Sequence, residues 1–296
     1  LLLTDQRPDG DTFGSSLAFF HYLRSIGKRV TLYATTAPLT MHQWLPGIEL
    51  ITRDAQYLRD PSVDLVMSFD SSREELIKSL TQDLRAPLIV VDHHMSNTRF
   101  GELNVIDTSA SSTCEVVNAY MRAQHVRMTD DMAKCLLMGM LTDTGFFYYS
   151  AASGTSFEMA ARLLSQGGSL KTVVDYVEHN VSIARLQLWG RIFSRLVYAR
   201  SWHAAATWYT QEDLEETGAT AEDIADMSDY LGRVLDVDTT VFLKQQADGV
   251  KVSLRSHNRD VLALARQFGG GGHTHACGFF MEGAQLTHTG DRAAIV

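Results

Sequence analysis

The chain has only three cysteines in 296 residues, Cys114, Cys135 and Cys277, far apart and in no C-x-x-C spacing. That argues against a disulfide framework and a cysteine-rich zinc ribbon, and leaves reduced, buried thiols as the expectation. Positive charge is scarce as well: 26 lysines and arginines stand against 35 aspartates and glutamates, a net charge of -9. Broad electrostatic binding of duplex nucleic acid needs many basic side chains to neutralise phosphates, so that class of function is disfavoured. Short anionic ligands remain open where a metal or a local arginine cluster supplies the field. Long apolar runs are missing; none approaches the ~20 residues of a membrane helix. With no charged n-region and cleavage site at its start, the protein is read as cytoplasmic. A chain beginning at Leu1 is read as one that has lost an N-terminal segment. Trp44, Trp189, Trp202 and Trp208 are not interleaved with basic residues, which gives no support to an aromatic platform for long single strands.

What is present is an ordinary globular composition, 45% apolar and 21% charged, sufficient for one large domain or two ordinary ones. In the first half, "LLLT", "KRVTLYA", "VDLVMSF" and "APLIVVD" are apolar runs rather than alternations, the pattern of buried strands in a parallel sheet. Leu17, Phe20, Tyr22, Leu23 and Ile26 recur at helical spacing and stop at Gly27. "STCEVVNAYMRAQ" and "TDDMAKCLLMGMLTDTG" predict two more helices, the second capped by Thr129 with Asp130 and Asp131 near its positive end. From "SLKTVVDYVEHN" through "ARLQLWGRIFSRLVYAR" the texture stays helical, which suits a connector. Beyond it "HAAATWYT", "TTVFLKQQ" and "VKVSLRS" predict strands of a mixed sheet, and "DVLALARQF" a helix ending at Gly269. The expected fold class is α/β: a parallel-sheet domain over residues 1–185 with helices on both faces, a helical connector, and a smaller mixed-sheet domain over 195–296.

Ligand sites of open α/β sheets lie outside the carboxyl ends of the strands. Acids and histidines fall there four times: Asp5, Asp9 and Asp11 after the first strand, Asp70 after "VMSF", Asp92-His93-His94 after "LIVV", and Asp143 in "GMLTDTGFF". Singly, each aspartate reads as well as a cap or turn residue. Crowded at one edge they would raise one another's pKa unless a cation neutralised them. Carboxylates mixed with imidazole suit Mn²⁺, Mg²⁺ or Fe²⁺, and the donors suffice for two ions, as a phosphoryl transfer uses.

In order and spacing, "RPDGDTFGS", "SFD", "VDHH" and "GMLTDTG" resemble the four motifs of the DHH phosphoesterase family. "SLRSHNRDVLALARQFGGGGHTHACG" looks like that family's C-terminal DHHA1 domain. Layout is most similar to the NrnA-type subgroup of small oligoribonuclease/pAp-phosphatase proteins. The resemblance implies Asp9 and Asp70 as ligands of one ion and Asp11, Asp70, His93 and Asp143 of another, with Asp70 as the bridge. His94 is implied at the scissile phosphate or leaving group, and Asp92 as the acid that orients the histidines. One departure is Asp5, where the family's first motif usually carries a histidine ligand; a carboxylate there keeps a donor of harder character or weakens one metal.

Four glycines in "FGGGGHTHACG" cost conformational entropy on ordering, which points to close approach of backbone amides to phosphate, with a flexible turn as the alternative. Gly270, Gly271, Gly272, His273, Arg255 and Ser256 are therefore the candidate substrate contacts, as the resemblance also implies. His275 is read as incidental. "SASSTCE" is read first as a hydroxyl-rich loop capping a helix, and "CLLMGML" as core, although homodimers are common among resembling proteins. The expected function is hydrolysis of very short oligonucleotides and 3′-phosphoadenosine 5′-phosphate. Family II inorganic pyrophosphatase and a nucleotide-binding protein impaired by Asp5 are the alternatives.

Overall fold

Leu2 and Leu3 are adjacent, point to opposite faces of a sheet and are both buried, Leu2 against one apolar cluster and Leu3 against another. The same split recurs in the next strands. Met67, Phe69 and Val91 join Leu2, while Val66, Leu88 and Val90 join Leu3. Neither face reaches solvent, which is why these segments read as runs and not as alternations. The computed structural model describes residues 1–178, 181–224, 227–289 and 292–296, and the chain divides into the units Leu1–Asn180 and Val181–Val296.

In the first unit β1 (Leu2–Leu3), β2 (Leu32–Tyr33), β3 (Val66–Phe69), β4 (Leu88–Asp92) and β5 (Leu103–Ile106) form a five-stranded sheet in the order β2-β1-β3-β4-β5, and every pairing is parallel. The first four match the sequence runs. β5 was not expected: it is an edge strand with Leu103 largely exposed, so no apolar run marks it.

One face of the sheet is covered by α1 (Gly10–Ser25), α3 (Thr113–Ala123) and α4 (Asp130–Asp143), joined by α5 (Gly154–Ser165) and α6 (Leu170–Glu178); the other is covered in part by α2 (Glu74–Thr81) through Ile77. Thr129 caps α4 as expected, accepting the Met132 N–H at 3.3 Å. Cys135, Leu136, Leu137, Met138, Met140 and Leu141 of α4 are buried in the unit's own core. α1 and α4 cross closely because glycines line the contact. A Cβ on Gly14 would lie 2.5 Å from the Cys135 carbonyl oxygen, and one on Gly139 2.8 Å from Cα of Asp11. Gly10 meets Thr142 in the same way. The helices therefore run antiparallel, and the start of α1 lies beside the end of α4.

The second unit opens with α7 (Ile183–Ser194), whose Leu188 and Ile192 pack with Tyr209 and Phe242. The helical pattern expected as far as Arg200 stops at Ser194. Val197–Ala199 is instead a short strand, β6, paired antiparallel with β7 (Ala204–Tyr209); pairing to an open sheet edge outweighs local helical preference. α8 (Gln211–Thr217), α9 (Met227–Val234), β8 (Thr239–Gln246), β9 (Gly249–Ser256), α10 (Leu262–Gln267), β10 (Gly271–His273) and β11 (Ala276–Glu282) follow. The resulting six-stranded sheet has the order β10-β11-β9-β8-β7-β6 and is mixed, β7 and β8 being parallel. β12 (Leu286–Thr289) and β13 (Arg292–Ile295) form a separate two-stranded sheet. Among the described residues no helix is long and apolar enough to cross a membrane.

Candidate metal centre and active site

In the first unit the strand order turns at β1, with β2 on one side and β3 on the other. Outside the carboxyl ends at such a switch point is where open parallel sheets bind ligands. Asp70 follows β3 with a left-handed φ of 56°, which aspartate tolerates better than most side chains. Its two oxygens accept Thr12 Oγ1 at 2.7 Å and Thr113 Oγ1 at 3.0 Å. Asp11, in the first turn of α1, accepts the Thr113 and Cys114 amides at 2.6 and 2.9 Å. Those amides open α3, so this carboxylate sits near the positive ends of two helices.

Asp92 closes β4 and is fully buried. Its Oδ1 accepts the His93 and His94 amides at 2.8 and 3.2 Å and lies 2.8 Å from His94 Nδ1, while Oδ2 accepts Asn97 Nδ2 at 2.6 Å. Burial pushes Asp92 up, yet the bonds from His94 and Asn97 outweigh it and hold the carboxyl below its usual range. The same Asp92 bond raises His94 above an ordinary histidine. His93 Nδ1 lies 3.3 Å from the Ala110 carbonyl. A proton on that nitrogen leaves the Nε2 lone pair toward Asp143 Oδ2 at 3.4 Å and Asp70 Oδ1 at 3.9 Å.

The structure thus brings together Asp70, His93 and His94 in one group and Asp11, His93 and Asp143 in another, with the donor atoms of each group within 4.8 Å of one another. Burial, then the charges of Asp11 and Asp9, pushes Asp143 up to about 8 and raises Asp70 well above the carboxylate range. Asp11 is raised chiefly by burial. Carboxylates that repel one another in a largely buried crevice, facing an imidazole nitrogen, are a donor set that fits hard or borderline divalent cations. Asp9 lies outside both groups: its Oδ1 caps α1, accepting the Asp11 and Thr12 amides at 3.0 Å each. Asp5 is also outside them. Its Oδ1 accepts the Arg7 amide at 3.1 Å, and its Oδ2 accepts Ser71 Oγ at 2.7 Å with Arg73 Nε 3.8 Å away.

Sequence reasoning missed Thr12, Thr113, Asn97 and the Ala110 carbonyl. Only Thr12 left a signal, since it stands three residues after Asp9 and completes a capping box. The "SASSTCE" segment does cap α3 through Ser112, which accepts the Glu115 amide at 3.1 Å.

In the second unit Arg255 Nε donates to Asp229 at 2.7 Å and Ser256 Oγ to the Asp238 carbonyl at 2.7 Å. The glycine run is not a loop throughout: Gly271–His273 is strand β10, hairpin partner of β11. The flexible turn held as the alternative therefore does not describe Gly271 and Gly272. Gly269 has a φ of 72°, and a Cβ on Gly270 or Gly272 would lie within 2.6 Å of β11 side-chain or backbone atoms. Their glycines therefore answer to a neighbouring strand, while a Cβ on Gly271 meets nothing within 4 Å. His273 is exposed at the end of β10. His275 Nδ1 lies 3.0 Å from the Arg259 carbonyl.

A parallel α/β unit with buried acids and part-exposed histidines at its switch point, followed by a mixed-sheet unit, defines the class of DHH proteins with a DHHA1 module. Residues 1–140 match the family described as the DHH family, N-terminal domain, and residues 203–289 match the DHHA1 domain. The chain belongs to the DHH phosphoesterase family. It is 30% identical to the bifunctional oligoribonuclease and PAP phosphatase NrnA of Thermus thermophilus over 98% of this chain and 86% of that protein. With the Bacillus subtilis protein of the same name it shares 25% identity over 92% of this chain and 86% of that one. A crystal structure of an exopolyphosphatase-related protein from Bacteroides fragilis superposes with a TM-score of 0.84 at 25% identity, covering 94% of this chain and 85% of that one.

Proposed function

We propose that this protein hydrolyses very short oligonucleotides to mononucleotides and 3′-phosphoadenosine 5′-phosphate to AMP. The observation that carries the reading is His93 Nε2 set between Asp70 and Asp143, 3.9 and 3.4 Å away, in a largely buried acidic crevice. The names of the relatives supply the substrate class. Asp9 and Asp70 would hold one divalent ion and Asp11, Asp70, His93 and Asp143 the other. Asp5 is a further donor, engaged by Ser71 and lying beside Arg73. Two divalent ions, Mn²⁺ first and Mg²⁺ or Fe²⁺ next, supply Lewis acidity that lowers the pKa of a nucleophilic water and offsets phosphoryl charge.

The chain's own residues do the rest. Thr12 and Thr113 fix both oxygens of Asp70. Asp92 fixes the His94 ring and favours its protonated form, so that His94 can donate toward the leaving oxygen. Arg255, Ser256, His273 and the amides of Gly270, Gly271 and Gly272 are the proposed contacts for a terminal phosphate or nucleotide. Three free cysteines suit a reducing cytoplasm, and a homodimer is the assembly we favour.

Incubation with Mn²⁺ and a 5′-labelled RNA dinucleotide, a 24-mer, 3′-phosphoadenosine 5′-phosphate and pyrophosphate, with Asp70→Asn as control, tests this. The dinucleotide and the phosphoadenosine compound should be consumed, and the control should be inactive. Consumption of pyrophosphate alone would make it a pyrophosphatase; binding without turnover would make it a nucleotide-binding protein.

A further inference from the structure

The stretch after Asp143 is Gly145-Phe146-Phe147-Tyr148-Tyr149, and its backbone is unusual. Gly145, Phe146 and Phe147 all have left-handed φ, 55°, 56° and 66°. For an ordinary side chain that conformation is strained, and here two consecutive aromatic residues adopt it. The loop is nevertheless rigidly tied. The Gly145, Phe146, Tyr148 and Tyr149 amides donate to the carbonyls of Thr142, Leu141, Gly145 and Thr144, and the Phe147 amide donates to Thr144 Oγ1. Phe146 and Phe147 pack on the core, and Phe147 stacks on Phe157 with centroids 4.2 Å apart. What this device presents outward is a pair of tyrosines, Tyr148 at 65% and Tyr149 at 44% exposure.

Their position is set relative to the metal centre. The Tyr149 amide bonds Thr144 O at 2.9 Å, returning the chain to within one residue of Asp143. The Tyr149 ring lies over Gly145, where a Cβ would come within 2.6 Å of it. Strain held in place by a full set of hydrogen bonds is found where function requires the geometry. The two rings meet edge to face, centroids 6.2 Å apart, and both residues stay partly open to solvent a few residues from Asp143; an aromatic edge of this kind is suited to an uncharged, flat group and not to a phosphate. We infer that Tyr148 and Tyr149 form a stacking surface for a nucleobase of the short oligonucleotide whose phosphate lies at the Asp143 centre. The inference rests on the function proposed above and adds how the substrate is held. Base–aromatic stacking tolerates any base, since every base has a π-face, so the surface would admit all four.

Steady-state kinetics on a dinucleotide and on its abasic counterpart, for the wild type, Tyr148→Ala, Tyr149→Ala and both Tyr→Phe variants, tests the inference. Binding of a dinucleotide with a non-hydrolysable methylphosphonate linkage is measured in parallel by calorimetry. At least one alanine variant should raise KM for the dinucleotide about 10-fold with kcat within about twofold; its Tyr→Phe partner should restore KM, and the abasic substrate should show no change. Hydrolysis with an unchanged KM in both alanine variants, or an equal rise on the abasic substrate, overturns the stacking surface and leaves the phosphoesterase reading intact. A wild type that hydrolyses nothing but binds the analogue, more weakly in an alanine variant, overturns the phosphoesterase reading and keeps the surface. A wild type that neither hydrolyses nor binds overturns both.

Discussion

Gly14 of α1 and Gly139 of α4 meet backbone to backbone, so closely that a Cβ on Gly14 would lie 3.1 Å from the Gly139 nitrogen. This approach is what carries Asp11, on α1, to the side of Asp143, at the end of α4. Gly139→Ala would force its Cβ to within 2.9 Å of the Gly10 carbonyl oxygen and 2.8 Å of Asp11 Cα, and backbone atoms cannot swing aside as a side-chain tip can. The strain, about 1–3 kcal/mol, should exceed the ~1 kcal/mol gain in helix propensity. A lower urea midpoint and weaker Mn²⁺ affinity are expected. Gly190→Ala, in α7 with nothing within 4 Å, has the propensity gain alone and should stabilise by about 0.5–1 kcal/mol.

Metal addition should stabilise the first unit. Asp70 is buried, Asp143 partly so, and the charge of Asp143 raises Asp70, so the metal-free fold carries an electrostatic cost of crowded carboxyls that a cation relieves. At a free Mn²⁺ concentration of about 100 times Kd the gain is about 2.7 kcal/mol, visible as a rise in Tm. Asp70→Asn, at a left-handed position asparagine accepts, removes one charge. It should melt at or above the metal-free wild type and lose most of the Mn²⁺-dependent rise. A full rise in the variant would show that the cation binds elsewhere.

The backbone of the site was legible where two-sided burial writes a continuous apolar run, as in Val66–Phe69 and Leu88–Asp92, because the acid that ends each run then marks a strand end. The polar supports were not. Thr12 and Thr113 reach Asp70 across 58 and 43 residues of sequence, and a hydroxyl that anchors a carboxylate has no pattern different from one on the surface. The strand inside the glycine run was hidden for a related reason: glycine has little strand propensity, so β10 is visible only once β11 is folded against it.

Asn97 and Asp92 form another support the sequence hid. Asp92 accepts four donors, one of them the 2.6 Å bond from Asn97. Asp92→Asn would set an amide N–H₂ against those donors and release the His94 ring. Loss of such a positioning acid costs about 10–100-fold in activity or metal affinity. kcat should fall by that factor with the dinucleotide KM within about threefold; an unchanged kcat would remove Asp92 from the mechanism. Asn97→Ala should show a smaller loss in the same direction.

Asp213 joins two parts of the second unit. Its carboxylate receives Arg195, through Nη1 and through Nη2 at 2.8 Å, Arg191 Nη1 at 3.2 Å, and the Thr210 amide at 2.8 Å, tying the end of α7 to the capping box of α8. Burial alone would raise its pKa, but the bonds from Arg195, Thr210 and Arg191 outweigh it and hold the carboxyl well below the usual range. A carboxyl depressed in the folded state binds its proton more readily when unfolded, so unfolding takes up protons in acid and stability falls with pH. The contribution is therefore whole above about pH 4, the unfolded value, and is lost as pH drops toward the folded one. Asp213→Asn should destabilise the unit at pH 7 by about 2–3 kcal/mol, less than a fully buried pair because Arg191 is partly exposed. Urea unfolding of wild type and variant, followed by tryptophan fluorescence, should show that gap shrink as the pH is lowered from 5 to 3, since the wild type forfeits what the variant never had. A gap constant across that range would mean that the carboxylate charge contributes nothing and that Asp213 acts only through neutral hydrogen bonds.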